Sequence, residues 1–205
     1  MSTAITAPED IVNLALGRIG YKGPRIGSIY EGSAASKKAL DIYAQTRDEL
    51  IREGEWEFAE RIVAGTLVKQ APAGGYVITP WSAASNPDLP WLFSYVYPTD
   101  CIDVRAIRQT PRFVPNFDPQ HNLFGLGNDT GSNPPQRVIL CNVANALITY
   151  AGRVTDPTTF DSGFVEALAA ALGRRLAPAL AGLDAAKLEL SDEQMENALA
   201  QSEKG

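Results

Sequence analysis

The chain has 205 residues and a mass of 22.1 kDa, which is long enough to bury a hydrophobic core without a metal or a disulfide. Hydrophobic residues make up 45% of the chain and charged residues 20%, a composition that excludes an intrinsically disordered protein. The formal net charge of -6 argues against a protein that reads nucleic-acid sequence, because such a protein presents a basic surface.

The sequence predicts neither secretion nor a membrane span. No basic segment followed by an apolar one occurs at the N-terminus, so a signal peptide is not expected. The most apolar run, residues 164–172, is interrupted by Glu166 and is shorter than the ~20 residues that a membrane helix needs. Cys101 and Cys141 lie in apolar contexts, which is typical of free thiols in a reducing compartment. We therefore expect a protein made in the cytoplasm, with no membrane partner.

The first part of the chain predicts two helices. The first begins at residues 6–9, where a threonine and Glu9 form a capping box around a proline, and it ends near Gly20. Ser33 caps a second, longer helix that continues to near Gly54 and has one broad apolar face. The aromatic residues that follow are expected in a core: Trp56 and Phe58.

The middle of the chain predicts strands, because its short segments are rich in Val, Ile and Tyr. The segments are residues 61–69, 76–79, 92–97, 102–108, 137–141 and 146–154. Two stretches rich in proline and glycine separate them, at residues 71–90 and 111–135. Within the second stretch, Gly125 and Gly127 are interpreted as part of a turn, since no helix follows that could receive a phosphate.

Helical spacing returns near residues 158–161 and continues to about Ala181, with a kink or break predicted at Pro178. A last helix, beginning at Ser191, has a narrow apolar face and would need a partner surface. This order predicts an α+β fold, in which the N- and C-terminal segments form a helical bundle with an inserted antiparallel β-rich domain. The predicted domains are residues 1–60 with 155–205, and residues 61–154, which contain the long proline and glycine loops.

The side chains that could carry catalysis are few. The single histidine, His121, lies in the second proline-rich stretch, and no serine lies in a G-x-S-x-G motif. One histidine and two cysteines do not supply a zinc site of the usual spacing. Asp156 and Asp161 could form the carboxylate pair of a glycosidase, but capping of the following helix explains them more simply. We therefore predict no enzyme activity, no metal and no cofactor.

Three features allow more than one interpretation. An aromatic cluster belongs either to a core or to an interface: Tyr76, Trp81, Trp91, Tyr95 and Tyr97. The segment from Asp184 to Gly205, with six acidic residues and two lysines, is either a solvated tail or a docking segment. Arg174 and Arg175 are expected to form ion pairs between helices or between subunits.

Several phrases, taken in order, point to one family. They are IVNLALGRIG (11–20), IGSIYEGS (26–33), Tyr43 with RDEL (47–50), WEFA (56–59), YVYPTDC (95–101), YAGRVTDP (150–157), and Phe160-Asp161 with FVEALA (164–169). In this order they resemble the portal adaptor, or tail tubular protein A-like, proteins of tailed bacteriophages, also called head-to-tail connectors. The resemblance extends over about residues 9 to 182.

The resemblance implies a virion structural protein. Such a protein binds beneath the portal ring after DNA packaging, forms a dodecameric ring around the DNA channel, closes the head and provides the platform for tail attachment. Its partners would be the portal protein, the nozzle or tail tube proteins, and further copies of itself. DNA would pass through the lumen without sequence-specific binding. The expected location is the head–tail junction of the virion.

On this interpretation two sets of residues are expected to make contacts. The portal-binding set comprises Leu188, Met195, Leu199, Arg174 and Arg175. The set for neighbouring subunits or the tail comprises Trp81, Trp91, Phe113 and Phe117. Two alternatives from other classes stay open: a virion-associated peptidoglycan hydrolase that uses a carboxylate pair, and a soluble binding module unrelated to virions.

Overall fold

A computed structural model describes residues 5–74, 76, 79–109, 123–132 and 134–180. The chain divides into two compact units. The first unit combines the described residues up to Ala59 with those from Arg153 onward, and the second unit extends from Glu60 to Gly152. The second unit is therefore an insertion between two chain segments that fold together.

Three α-helices lie in the described part of the first unit: α1 (Pro8–Arg18), α2 (Ala34–Glu53) and α3 (Ser162–Leu180). Helix α3 packs against both α1 and α2. It is apolar on nearly every side, and Phe164, Leu168 and Leu172 are fully buried. The prediction that this segment forms the most buried helix is confirmed, and the helix continues through Pro178 to Leu180.

The predicted helical bundle is wrong. Helices α1 and α2 pack chiefly on α3 and not on each other, whereas each helix of a bundle buries its apolar face among helical neighbours. Residues outside the helices complete the core of this unit, namely Ile26, Ile29 and Trp56. The described residues also form seven strands, against three α-helices, in two antiparallel sheets. The helix predicted from Ser191 lies outside the described residues.

The starts of α1 and α2 are capped by different side chains. At α2, Ser33 Oγ accepts a hydrogen bond from a backbone N–H of the first turn at 3.2 Å, as predicted. At α1 the capping acid is Asp10 and not Glu9. Its carboxylate accepts from the backbone N–H groups of Thr6 (2.9 Å) and Ala7 (3.1 Å), and Thr6 donates its hydroxyl to it as well. The bond from the Thr6 N–H contributes most to holding the pKa of Asp10 below its usual range.

Four aromatic rings pack together in the first unit: Trp56, Phe58, Phe160 and Phe164. Phe164 meets Trp56 edge to face with ring centroids 5.1 Å apart, and it meets Phe160 in the same manner at 4.8 Å. Trp56 Nε1 donates to Leu50 O at 2.8 Å, so its polar atom is satisfied although the ring is buried. The rings come from both sides of the insertion and therefore join the two chain segments of this unit.

The described part of the second unit contains seven strands: β1 (Glu60–Ala64), β2 (Leu67–Gln70), β3 (Phe93–Val96), β4 (Cys101–Gln109), β5 (Phe124–Asp129), β6 (Gln136–Cys141) and β7 (Ala146–Gly152). One sheet has three strands in the order β1-β7-β4, and the other has four in the order β2-β3-β6-β5. Every pairing is antiparallel.

Both sheets contribute to one apolar cluster: Tyr95, Val104, Ile107, Ile139, Cys141, Val143, Ala146, Ile148 and Tyr150. The Tyr95 hydroxyl donates to Val143 O at 2.7 Å, which satisfies its polar atom inside the cluster. The backbone of Gly65 lies so close to the Tyr95 ring that an added Cβ would be 2.6 Å from Cδ1. The glycine between β1 and β2 is therefore required by the ring that packs on it.

Two strand predictions are corrected. Residues 61–69 do not form one strand, because the chain leaves the three-stranded sheet at Gly65 and enters the four-stranded sheet as β2. Gly125 and Gly127 do not form a turn but belong to β5. Only part of segment 76–79 is described, and Tyr76 and Thr79 lie outside the strands. The other four predicted strands are confirmed as β3, β4, β6 and β7.

Candidate functional site

Residues 81–91, which we call the tryptophan loop, have a defined irregular shape. Trp81 Nε1 donates to Pro87 O at 2.8 Å, and the backbone N–H of Ser82 donates to Asn86 Oδ1 at 3.0 Å. Asn86 is buried and returns a backbone hydrogen bond to Ser82 O at 2.8 Å. These bonds close the loop on itself, so a proline-rich segment without regular structure is held in one conformation.

Strand β5 provides a flat surface for the tryptophan loop. An added Cβ on Gly125 would lie 3.1 Å from Trp91 Cζ2, and one on Gly127 would lie 3.0 Å from Leu140 Cδ1. The indole of Trp91 thus rests on backbone where any other residue would crowd it. Gly125, which suggested a turn in the sequence, is the position at which the strand receives this ring.

A buried ion pair ties the loop to the sheet. Lys69 Nζ donates to Asp129 Oδ1 at 2.5 Å and to Ala83 O at 2.6 Å. Asp129 also accepts from the hydroxyl of Ser132 at 2.5 Å and from the N–H of Gly131 at 3.0 Å. Burial alone would raise the pKa of Asp129, but the hydrogen bonds from these three donors hold it below its usual range. We call this group the Lys69–Asp129 clasp.

The residues predicted to contact neighbouring subunits or the tail lie in different places. Trp81 is 41% exposed, whereas Trp91 is half-buried against its own sheet. Phe113 and Phe117 lie outside the described residues. The structure brings the two tryptophans into one loop, and their role in an interface stays a prediction.

Large apolar side chains are exposed mainly on the second unit. Ten such side chains are exposed in the described part of the chain, and seven belong to this unit: Ile62, Leu67, Trp81, Leu89, Leu92, Leu123 and Leu126. The exposed fraction reaches 85% at Leu123 and 58% at Leu89. Single exposed apolar residues are ordinary, and the described part of the second unit carries more of them than the described part of the first.

The arginine pair lies on α3 in the first unit. Arg175 forms an ion pair with Glu49 of α2 and donates to Thr46 Oγ1 at 3.0 Å. Hydrogen bonds from Gln45 and Arg175 hold the pKa of Glu49 below its usual range. An ion pair between helices was predicted for the two arginines. It is confirmed for Arg175, and Arg174 is half-buried beside it. Portal binding stays a prediction for both; the other residues of that set lie outside the described residues: Leu188, Met195 and Leu199.

The two acids that could have formed a catalytic pair act as caps. Asp156 accepts from the backbone N–H of Thr158 at 3.0 Å and from its hydroxyl at 2.7 Å. Asp161 accepts from the backbone N–H of Phe164 at 2.6 Å, in the first turn of α3. The bonds from Thr158 hold the pKa of Asp156 below its usual range, which suits a cap and not a proton donor. The capping prediction is confirmed for Asp161, whereas Asp156 caps a short 3-10 helix, Pro157–Thr159, that precedes α3.

The thiols offer no activated nucleophile. Cys101 is half-buried, Cys141 is buried, and both are free. Burial raises the pKa of each thiol, which lowers the fraction of reactive thiolate. Within the described ranges, no group of three or more His, Cys, Asp or Glu side chains could hold a metal ion. His121 lies outside these ranges.

Two polar side chains order the loop between α1 and α2. Asn13 binds Ile26 twice, since Nδ2 donates to the carbonyl at 2.8 Å and Oδ1 accepts from the N–H at 3.0 Å. Glu31 accepts from a loop N–H at 2.7 Å and from Ser33 Oγ at 2.7 Å. The loop thus presents Tyr30, which is 78% exposed, from a fixed backbone.

Further side-chain contacts join segments that are distant in the chain. In the first unit, Asp48 Oδ2 accepts from Arg153 Nε at 2.8 Å, and Oδ1 accepts from the buried Arg47. In the second unit, the Tyr150 hydroxyl donates to Asp100 Oδ1 at 2.9 Å. Burial and the Asp100 carboxylate raise the pKa of Tyr150 to about 12, so the phenol keeps the proton that it donates.

A shallow groove of about 540 Å³ lies beside the end of α1. Its lining includes Arg18, Tyr21 and Arg25. Arg18 forms an ion pair with Glu166, so this guanidinium fastens α1 to α3. The groove is open, and the charge of Arg18 on its lining is paired with Glu166.

No family model matches the chain, and no curated protein matches it. None of the described helices has the length and apolar character that a membrane-spanning helix requires. Function must therefore be inferred from the residues of this chain.

Proposed function

We propose that this chain is a virion structural protein of a tailed bacteriophage: an adaptor that binds under the portal ring after DNA packaging, closes the head and provides the platform for the tail. Its partners would be the portal protein, the nozzle or tail tube proteins, and further copies of itself in a dodecameric ring at the head–tail junction. The observation that carries this proposal is the set of contacts among the segments that resemble the connector family.

These contacts join one resembling segment to another. The pairs are Asn13 with Ile26, Asp48 with Arg153, Trp56 with Phe164, and Asp100 with Tyr150. Each pair includes a polar link or a ring contact that holds two distant segments of one unit in place. The resembling segments therefore contain residues that hold the fold together, and a resemblance carried by such residues supports a shared fold.

The charge of the chain suits a channel through which DNA passes. Phosphate contacts by Lys and Arg dominate the affinity of proteins for DNA, and a ring that lets DNA move needs few of them. The net charge is -6, and four arginines of the first unit are paired with acids: Arg18 with Glu166, Arg47 with Asp48, Arg153 with Asp48, and Arg175 with Glu49. Such pairing reduces the positive charge that could hold DNA.

The distribution of exposed side chains suits an assembly protein. The described part of the second unit exposes seven large apolar side chains, whereas Asp156 and Asp161 serve as caps. Apolar side chains are unfavourable in contact with water, so a partner that covers them lowers the free energy of the assembly.

The test is the mass of the purified chain, alone and mixed with its cognate portal ring, by light scattering and negative-stain imaging. We expect a stoichiometric ring of this chain on the portal, with the same rotational symmetry as the portal. A chain that leaves the portal bare at micromolar concentration, or that binds with another symmetry, would contradict the proposal.

The hydrolase alternative predicts a different result in a second assay. A carboxylate-pair enzyme would clear peptidoglycan in a gel, and Asp156→Asn or Asp161→Asn would abolish clearing without loss of portal binding. We expect no clearing by the wild-type chain.

A further inference from the structure

Each of the two sheets in the second unit has one irregular edge, where the strand pairing contains register shifts, and one regular edge, where it contains none. Strand β4, at one edge of the three-stranded sheet, pairs with β7 through two register shifts. Strand β2, at one edge of the four-stranded sheet, pairs with β3 through one register shift. The opposite edges, β1 and β5, pair with their neighbours in unbroken register. Bulges are a common device by which proteins prevent an edge from pairing with another chain, and β1 and β5 lack it.

The regular edges also expose apolar side chains. Ile62 in the middle of β1 is 54% exposed, and Leu126 in the middle of β5 is 45% exposed. Leu123, immediately before β5, is 85% exposed. The only charged residue on β5 is Asp129, which is buried in the Lys69–Asp129 clasp. Strand β5 therefore carries neither the outward charge nor the proline that ordinarily protects an edge.

We propose that β1 of one copy pairs with β5 of the next copy, so that the three-stranded sheet of one subunit continues the four-stranded sheet of its neighbour. This inference rests on the proposed ring, because a ring needs two different, complementary surfaces on each subunit. The strands have similar lengths, five and six residues, so each edge can satisfy the other along its whole extent. Pairing satisfies the outward backbone groups of both strands.

The register within the four-stranded sheet indicates where the side chains meet. Cross-strand partners place Leu67, Tyr95, Ile139 and Leu126 in one row across that sheet. A neighbouring β1 with Ile62 opposite Leu126 extends this row by one apolar residue. Directly opposed residues have Cβ atoms about 5 Å apart, so the two exposed side chains would cover each other.

Cross-linking tests the pairing. Ile62→Cys and Leu126→Cys are made as separate variants, mixed in the presence of the portal ring, and treated with a short bismaleimide. We expect a cross-linked dimer from the mixture, little from either variant alone, and a ladder of products from the double variant. The wild-type chain measures the background from Cys101 and Cys141, and Leu40→Cys with Leu126→Cys is the matched control, since Leu40 is 42% exposed on α2. Products from one variant alone, or no product from the mixture, would overturn the proposed pairing.

Charge insertion separates this inference from the proposed function. Ile62→Lys and Leu126→Lys should each weaken self-association by roughly tenfold or more, because a lysine on the edge must be desolvated when strands pair. Leu40→Lys should leave the mass of the assembly unchanged. Circular dichroism establishes that each variant is folded. If all variants form the same ring on the portal, the strand pairing is wrong and the adaptor function stands; if the wild-type chain forms no ring, the adaptor function is wrong.

Discussion

The two units of this protein are stabilised by different means. In the first unit, ring contacts and side-chain hydrogen bonds join segments on either side of the insertion, as at Trp56 and Phe164 or at Asp48 and Arg153. In the second unit, strand register and close approach of backbone to aromatic rings fix the structure, as at Gly65 beneath Tyr95. The first unit thus depends on a few large or polar side chains, and the second depends on positions where a side chain must be absent.

The units also differ in what they offer to other molecules. The first unit exposes three large apolar side chains among its described residues, and the second exposes seven. Two of these seven lie on the sheet edges that pair in unbroken register. We therefore expect contacts between copies on the inserted unit, whereas substitutions in the first unit should act mainly through stability.

The largest loss of stability is expected from Phe164→Ala. Phe164 is fully buried and contacts Trp56, Phe58 and Phe160, so its truncation leaves a cavity in the ring cluster. We expect the free energy of unfolding to fall by about 4 kcal/mol, measured by urea denaturation. Phe160→Ala, at a half-buried ring, should cost clearly less. Equal losses from the two variants would show that the cluster is not centred on Phe164.

The second effect is expected at the Lys69–Asp129 clasp. Lys69→Met leaves Asp129 buried without its cation, which should cost about 3 kcal/mol in urea denaturation. Adding Asp129→Asn removes the uncompensated charge, so the double variant should recover part of this loss. A double variant that is less stable than the single one would contradict the role assigned to the ion pair.

A smaller loss, of about 2 kcal/mol, is expected from Gly65→Ala. The added Cβ would lie 2.6 Å from Tyr95 Cδ1 and 3.2 Å from Ala146 O, so the ring or the strand must shift. Gly17→Ala in α1 is the matched control: nothing lies within 4 Å of the added atom, and the helix should gain up to about 1 kcal/mol. Thermal unfolding measures the Tm of both variants. If the two variants shifted Tm in the same direction, this interpretation would be contradicted.

The smallest loss of stability is expected when the pH is lowered. Carboxyl groups with a lowered pKa in the folded protein contribute stability that is complete above their ordinary pKa of about 4 and is lost as the pH falls through the folded value. Among the described residues, the first unit has four such groups, Asp10, Glu31, Glu49 and Asp156, whereas the second has Asp129. We therefore expect Tm to fall below about pH 4. Asp10→Asn should make this fall shallower, and an unchanged slope would contradict the capping role of Asp10.

Helix caps and strands whose signals lie in adjacent residues could be predicted from the sequence. Ser33 caps α2 and the strands from β6 to β7 follow their Val- and Ile-rich segments, because these features depend on neighbours in sequence. Strand β5 could not be predicted, since glycine is disfavoured in strands and the Trp91 ring that packs on Gly125 comes from a distant segment of the chain. The break at Gly65 was missed for the same reason, as it depends on Tyr95.

The candidate site could be predicted only in part. The sequence placed Trp81 and Trp91 in one aromatic cluster but left open whether they pack or bind. The clasp joins residues 60 positions apart, so no local pattern reveals it. Ile62 and Leu126 occupy apolar positions that are typical of core residues, and only the sheet topology shows that they lie on the edge strands of the described sheets.

The most direct test of the proposed adaptor function uses filled heads that carry the portal but lack this chain. Purified chain is added, and the fraction of packaged DNA that a nuclease digests is measured over time. We predict that the wild-type chain protects the DNA at the stoichiometry of one ring per head, and that Ile62→Lys protects it only at higher concentration. Digestion at the same rate with and without the chain would contradict the proposal that this protein closes the head.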